Sequence, residues 1–411
     1  MQDKFKALLD DVWLAFVCPF VMMFPRNRKK ILFGAWGGTQ FSDNPKYFLR
    51  WLRGRDLGYE LVWVGGESVC RQVETEPGVR FVRKGSWRAH WEVLTCGWMC
   101  CNIGIASDIT TFPTFGRVRQ LNFWHGTAFK GVPSWSGDDI PRKGGLFRRI
   151  YWKIMYDFPA FARTQASYAT FSSLRMCEIM ERASGWAFSV DRSIAEGSPR
   201  IDFLLAHCKD WEFVLSLKRK YGALLGLPVD RKWYLYMPTW RRGLDVKFSF
   251  LTSPCLEAYD RVLEEKGAII IEKQHPQVMA TLALDQGCRG NVYVISAKAA
   301  TMEIDTQELL LAADVLISDY SACFCDFMAM NRPVIHWAYD YDWYIREERK
   351  MVYTLDEYAA GPIAKTENEL LAALKMEPCG LLAARTSKSC ELVSGESGHA
   401  CERFARYVGV A

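Results

Sequence analysis

Asp314-Val315-Leu316-Ile317-Ser318-Asp319-Tyr320-Ser321 decides the fold: a buried-type apolar strand runs directly into hydroxyls and a carboxylate, and Ser321 opens a helix. Short apolar runs of the same kind recur along the chain, separated by amphipathic stretches. They are Ile31 to Phe33, Tyr59 to Val64, Trp98 to Ile105, Leu121 to Trp124 and Tyr168 to Phe171. A second series follows at Trp233 to Tyr236, Ala268 to Ile271, Asn291 to Ile295, Asp314 to Ile317 and Pro333 to His336. Strand alternating with helix marks a parallel sheet covered on both faces, so two series predict two α/β domains. Asp202 to Pro228 reads as mostly helical before a Gly226-Leu227-Pro228 stop. The boundary is therefore expected near residue 215, giving a segment 1–30, a first domain 31–215 and a second domain 216–411 with a short closing helix.

The 411 residues exceed what a single core usually organises. Half of them are apolar and a quarter charged, which excludes a disordered, collagen-like or coiled-coil chain. A net charge of +5 is too slight for a nucleic-acid binder, but fits a phosphate-rich small substrate or an anionic membrane. The fourteen cysteines are scattered, without a Cys-x-x-Cys pair or a secretory leader, and read as reduced cytosolic thiols. The six histidines show no zinc-type spacing.

Val12 to Phe24 is apolar throughout, yet a helix of thirteen residues reaches only about 20 Å and does not span a bilayer. Lys4 and Lys6 precede it, and Arg26, Arg28, Lys29 and Lys30 follow it, the reverse of a cleavable leader. Two placements fit: a helix packed on the body of the protein, or one lying in the interface of an anionic membrane. The sixteen Trp and seventeen Tyr favour the second.

In open α/β sheets ligands bind beyond the carboxyl ends of the strands, and two such domains enclose a cleft. Four polar clusters sit at such positions. Trp124-His125-Gly126-Thr127-Ala128-Phe129-Lys130 presents an imidazole, a hydroxyl and an ammonium on a sharp turn, a set suited to general base work beside phosphate, or else a capping turn with an exposed histidine. Glu272-Lys273-Gln274-His275-Pro276 puts two cations on one side of an extended chain, and Pro276 holds the direction of His275. Ser318, Asp319 and Ser321, with Asp326 beyond them, form a helix-opening anion site or a plain N-cap. Met237-Pro238-Thr239-Trp240-Arg241 supplies a hydroxyl and a guanidinium able to grip phosphate with two nitrogens. Arg200 and Asp202 close the first domain, and Ser42-Asp43-Asn44-Pro45 loosely resembles a phosphate loop.

No Gly-x-Gly-x-x-Gly, Walker loop, Gly-x-Ser-x-Gly elbow or His-Glu-x-x-His is present, which removes the main support for nicotinamide, ATP and serine-hydrolase chemistry. Asp340-Tyr341-Asp342 has the form of an Asp-x-Asp metal site, but its Tyr-rich setting argues against a metal.

Taken in order, the stretches SDNP, NFWHGTAFKGV, EGSPRIDFLL, YMPTWR, EKQHP, ISDYSACFCDFM, NRPVIHWAYDYDWY and GPIAKTENELLAAL resemble the CDP-glycerol glycerophosphotransferases, the teichoic-acid primases and polymerases and related capsule polymerases. The likeness spans residues 31 to about 375. Ala128-Phe129 departs from the usual Pro-Leu, and Cys323 and Cys325 replace other small or aromatic residues. The resemblance implies a GT-B architecture, two Rossmann-like domains facing across a cleft, with the donor nucleotide mainly on the second. It also implies a peripheral protein at the cytoplasmic face of the membrane, acting on a lipid-linked acceptor. The expected reaction is in-line attack of an acceptor hydroxyl on the β-phosphorus of CDP-glycerol, releasing CMP. His125 is the expected base. His275, Lys273 and Arg241 would offset charge on the leaving CMP, and Ser318 and Ser321 would hold phosphate oxygens. Gly126, Thr127, Lys130, Arg200, Thr239 and Asp326 would complete the substrate site, with Asp319 orienting His275 or Arg241. No cofactor or metal is expected. CDP-ribitol transfer, a sugar-nucleotide glycosyltransferase and a non-catalytic membrane scaffold are the competing readings.

Overall fold

The computed structural model describes residues 2–126, 168–184, 193–239, 241, 248–274, 287–295, 304–348, 351 and 353–409. Strands β1 (Asn27–Phe33), β2 (Glu60–Gly65), β3 (Val79–Arg83), β4 (Cys96–Cys101), β5 (Arg119–Asn122), β6 (Tyr168–Thr170) and β7 (Ser193–Ile194) form the first sheet, in the order β3-β2-β1-β4-β5-β6-β7 and parallel at every pairing. The second sheet holds β8 (Lys232–Tyr236), β9 (Ala268–Glu272), β10 (Gly287–Arg289), β11 (Val292–Val294), β12 (Val315–Ser318), β13 (Val334–Trp337) and β14 (Ile363–Ala364). Its order is β10-β11-β9-β8-β12-β13-β14, parallel except for the β10-β11 edge hairpin. Both are doubly wound, and the order reverses between β1 and β4 and between β8 and β12, where crevices open for ligands. The two-domain GT-B architecture expected from the resemblance is the one found.

The strands form where the apolar runs are. Every residue of β9 is buried, as a parallel strand covered on both faces requires. Registers of Tyr236 with Ile317 and with Glu272 bring the ends of β8, β12 and β9 level. Met237 N–H then donates to the Ile317 carbonyl at 3.0 Å, and Lys273 N–H to that of Tyr236 at 2.9 Å, so three chain exits leave the sheet side by side.

The helices that matter for the site are α1 (Gln2–Met23), α2 (Asp43–Arg53), α3 (Trp87–Thr95), α4 (Leu174–Ser184), α5 (Pro199–His207), α6 (Trp211–Leu225), α7 (Thr306–Ala312), α8 (Cys323–Ala329) and α9 (Ala400–Tyr407). The helical stretch expected over 202–228 is two helices. Asp210 caps α6 by accepting from Phe213 N–H at 3.1 Å, and Gly226 ends it in the left-handed conformation. Since α5 packs on α2 while α6 buries Leu217, Tyr221 and Leu225 in the core with Trp233, the crossover lies between α5 and α6, slightly before residue 215.

One grouping needs correction. The closing helix α9, assigned to the second domain by its place in the sequence, packs on the first. Phe404 meets Phe48 and Phe123 edge-on at centroid distances of 6.4 and 5.3 Å, and the Asp202 carboxylate accepts from the N–H groups of Ala400 and Cys401 at 3.0 and 2.7 Å. A chain end that crosses back ties the domains together. So does the largest core cluster, in which Trp124, Phe171 and Met176 from the first domain pack with Leu309, Phe324 and Phe327 from the second.

Helix α1 settles part of the N-terminal question. Leu14 and Val21 are buried with Leu94 and Phe115, so one face packs on the body. The opposite face leaves Val12, Phe16, Phe20 and Met23 exposed, Phe16 and Met23 at 83%. Trp87 and Trp91 of α3 are exposed beside it. Of the cations beyond α1, Lys30 pairs with Glu92 at 2.8 Å and Arg26 donates to the Val93 carbonyl, leaving Arg28 and Lys29 in solvent. Among the described residues, no helix is long and apolar enough to cross a membrane.

Candidate active site

At the β8/β12 crevice Asp319, fully buried, organises everything around it. Its carboxylate accepts from Thr239 Oγ1 at 2.7 Å, from Thr239 N–H at 2.9 Å and from Arg241 Nη2 at 2.8 Å. Arg241 also donates to both oxygens of Asp340, and Tyr320 Oη donates to Asp340 Oδ1 at 2.9 Å. This corrects the expectation for Arg241. Its guanidinium is buried, and its fork faces two carboxylates rather than the cleft. It positions the Thr239 turn instead of meeting phosphate. Asp340 is spent on the same pair, so the Asp-x-Asp segment offers no metal site there. No set of three or more metal-ligating side chains occurs among the described residues. Ser318 is likewise buried, its hydroxyl donating to the Met237 carbonyl at 2.7 Å, and is not available to a phosphate oxygen. His336, a histidine in β13, is a core residue: Nδ1 meets the Asp319 carbonyl at 2.6 Å, Nε2 accepts from Ala360 N–H at 2.9 Å, and burial pushes its pKa down to about 4.

Among the described residues at these strand ends, Lys273, Ser321 and Cys323 are partly exposed. Lys273 has no side-chain hydrogen bond or ion pair among the described residues, and burial lowers its pKa, with Cys323 and Asp305 opposing weakly. An ammonium on a strand end with no ion-pair partner among the described residues is suited to meet an anion. Ser321 sits two residues before α8 and accepts from Cys323 Sγ at 3.4 Å.

His125 stands opposite, just past β5. Its Nδ1 lies 3.2 Å from the Asn102 carbonyl, which can only accept, so Nδ1 carries the proton and Nε2 keeps its lone pair. Burial holds the imidazole below its ordinary pKa, against the pull of Asp43 and the Asn102 carbonyl. The ring packs on Trp36 and Trp124 at 5.3 and 4.7 Å between centroids. A neutral, fixed imidazole whose Nε2 keeps its lone pair is what a general base requires.

The support for His125 escaped the sequence reading. Asn102 follows β4, its Oδ1 accepting from Trp36 N–H and its Nδ2 donating to Asp43, both at 3.0 Å. The Asp108 carboxylate accepts from the N–H groups of Asn102 and Ile103 at 2.9 and 2.8 Å, fixing that turn. Reading Trp98 to Ile105 as one apolar run hid Asn102, although its place after a strand was the available signal.

The two halves meet at Gly126. A Cβ there would lie 2.5 Å from the Cβ of Ala322, so only glycine lets the His125 turn touch the Ser321-Ala322-Cys323 loop. Alongside, Arg200 Nε and Nη2 grip Asp326 at 2.8 and 2.9 Å, and Nη1 meets Asp43 at 2.9 Å, all three buried. Arg200 and Asp326, expected on substrate, are thus a clamp between the domains. Lys46 and Tyr47 add a second, both reaching Asp305 of the α7 cap at 2.6 and 2.8 Å. Thr127, Lys130 and His275 lie outside the described residues.

Residues 16–408 match the family model described as CDP-glycerol:poly(glycerophosphate) glycerophosphotransferase. The chain belongs to that family. This glycerophosphotransferase is 27% identical over 380 residues to a teichoic acid poly(glycerol phosphate) polymerase of Bacillus spizizenii, a match covering 90% of this chain and 89% of that one. It is 24% identical over 352 residues to a teichoic acid glycerol-phosphate transferase of Staphylococcus aureus, covering 85% and 84%. Its fold is that of the wall teichoic acid polymerase TagF, with a TM-score of 0.73 at 21% identity over 99% of this chain and 97% of that one. A UDP-GlcNAc 2-epimerase from Methanocaldococcus jannaschii shares the fold more distantly, with a TM-score of 0.53 at 13% identity over 92% and 99%.

Proposed function

We propose that this glycerophosphotransferase moves glycerol phosphate from CDP-glycerol to a hydroxyl of a lipid-linked, teichoic-acid-type acceptor and releases CMP. The observation that carries the reading is His125 itself: neutral, pinned through Nδ1, and joined through Gly126 to the loop near Lys273, which has no ion-pair partner among the described residues. In the proposed step Nε2 takes the proton from the acceptor hydroxyl as its oxygen attacks the β-phosphorus in line. The bond from that phosphorus to the CMP oxygen breaks, and the leaving phosphate carries away the electron pair. Lys273 offsets the charge growing there, an interaction strengthened by partial burial and by a position fixed in advance. Ser321 lies at the same mouth and holds a non-bridging oxygen. Arg241, Asp319, Thr239 and Asp340 position this half, and the clamps at Arg200 and Asp305 keep the two halves in register. The step uses no resident cofactor or metal.

The exposed apolar face of α1, with Trp87 and Trp91, supports peripheral attachment at the cytoplasmic membrane surface, where a lipid-linked acceptor is presented.

The reading is tested by CMP release with CDP-glycerol, CDP-ribitol and UDP-sugars in parallel, each with a lipid-linked acceptor, with and without EDTA. CMP from CDP-glycerol at a rate unaffected by EDTA is expected. Release from CDP-ribitol alone would move the donor to ribitol, and UDP release alone would make the chain a glycosyltransferase.

A further inference from the structure

Ser42-Asp43-Asn44-Pro45, which reads in the sequence as a loose phosphate loop, is a motif the mechanism above does not use. Asp43 and Asn44 open α2 and are buried, so neither lies open to a phosphate. Both are spent on the protein, and their partners converge on His125. Asn44 Nδ2 donates to the carbonyls of Phe123 and Trp124 at 3.3 and 3.1 Å, the two residues that lead into the histidine, while its Oδ1 accepts from Arg200 N–H at 3.0 Å. Carbonyls only accept and an N–H only donates, so the orientation of this amide is fixed. Asp43 Oδ2 accepts from Asn102 Nδ2 at 3.0 Å, and the carbonyl of the same Asn102 holds His125 Nδ1 at 3.2 Å. Asp43 Oδ1 accepts from Arg200 Nη1 at 2.9 Å, and Arg200 grips Asp326 of α8. A continuous run of contacts thus leads from the second domain to the backbone before His125 and, by way of Asn102, to the ring.

The backbone shows that this arrangement is imposed. Trp36, Asp43 and Trp124 have φ of 49°, 63° and 54°, in the left-handed region that residues other than glycine rarely adopt. All three border His125: Trp36 and Trp124 pack on its ring, and Asp43 reaches it through Asn102. Strain of this kind persists only where surrounding contacts over-determine it, and it gathers at functional sites. The electrostatics run along the same contacts. Burial dominates the lowered pKa of the ring. Among the described residues, Asp43 from α2 and Asp108 at the Asn102 turn favour the imidazolium, and Arg200 from α5 opposes it. Removing the Asp43 charge therefore lowers the His125 pKa further.

We propose that Asp43 and Asn44 are positioning residues for His125: Asn44 through the Trp124 carbonyl and Asp43 through Asn102 aim the imidazole, and both tie that aim to the second domain through Arg200. The proposal rests on the reading of His125 as the base. Its test uses the full chain with isotope-labelled histidine, in which the His125 signal, identified by its loss in His125→Ala, is titrated by NMR. CMP release and CDP-glycerol affinity are measured on the same variants. Asp43→Ala and Asn44→Ala are expected to lower kcat roughly ten- to a hundredfold with CDP-glycerol affinity unchanged. Asp43→Asn, which can still accept from Asn102, should cost kcat less than Asp43→Ala and shift the His125 titration to lower pH. It keeps the shape of the native side chain, so it carries the test should the alanine variants fold poorly. Arg50→Met, on the same helix, takes a guanidinium from buried Glu76 without touching the His125 turn, and should move neither the titration nor kcat. An unmoved His125 titration in Asp43→Asn, or an equal loss of kcat in Arg50→Met, would overturn the proposal. Weakened CDP-glycerol binding with kcat intact would overturn it too, by returning the motif to a phosphate loop. The titration needs no substrate, so full turnover in His125→Ala alongside the expected shift would sink the base reading alone.

Discussion

Burial moves the two ionisable groups that flank the cleft in opposite functional directions. As the proposed base, His125 works only when neutral, and its pKa lies below the ordinary 6.5, so activity is expected to be lost only as pH falls beneath that lowered value. Lys273, in its proposed role, works only when protonated, and its pKa lies below the ordinary 10.5, so the alkaline limb is expected early. A bell-shaped profile of kcat/KM with its acid limb below pH 6.5 is expected. An acid limb above that value would remove His125 from the base role. The cations also separate by stability. Lys273→Met removes a half-buried ammonium with no hydrogen-bond or ion-pair partner among the described residues, so it should weaken CDP-glycerol binding by about 1.5–3 kcal/mol and leave the denaturant midpoint unchanged or higher. Arg241→Met strands Asp319 and Asp340 in the interior and should cost about 3–5 kcal/mol of folding stability. Residue types at the strand ends showed in the sequence that cations gather there. Which cation is already neutralised did not, because Asp340 lies about a hundred residues from Arg241 and meets it only in the fold.

Elements were more legible than residues. Fully buried strands such as β9 and β12 read as apolar runs because parallel strands covered on both faces have no polar side to show. β3 alternates partial burial with exposure at the sheet edge, and β14 has only two residues, so neither gave such a signal. The allegiance of α9 was hidden for another reason: Phe404 and the Asp202 cap are contacts across half the chain, and local pattern carries no trace of them. Helix α1 shows both its faces in the sequence only as one apolar run, and the structure sorts them. Replacing Phe16 and Phe20 together by Ser should leave the thermal midpoint within a degree or two, since both side chains are exposed, while sharply reducing co-sedimentation with anionic vesicles. Undiminished vesicle binding would place the membrane contact elsewhere.

At the scale of the whole molecule, the two sheets act as one body. A core cluster crosses the junction, α9 returns to the first domain, and the Arg200 and Lys46 clamps bridge the cleft with buried charges. Unfolding is therefore expected as a single transition. Arg200→Met, which leaves Asp43 and Asp326 facing each other, should lower stability by about 3–5 kcal/mol, and two separate transitions in the wild-type chain would contradict the shared core. In the proposed reaction this rigidity lets His125 on one sheet and Lys273 on the other meet a single phosphorus. The central claim is tested most directly by CMP release from CDP-glycerol with wild-type and His125→Ala chains side by side, with CDP-glycerol affinity measured on both. A loss of at least about a hundredfold in turnover with affinity nearly intact is expected. Retained turnover in His125→Ala would contradict the account.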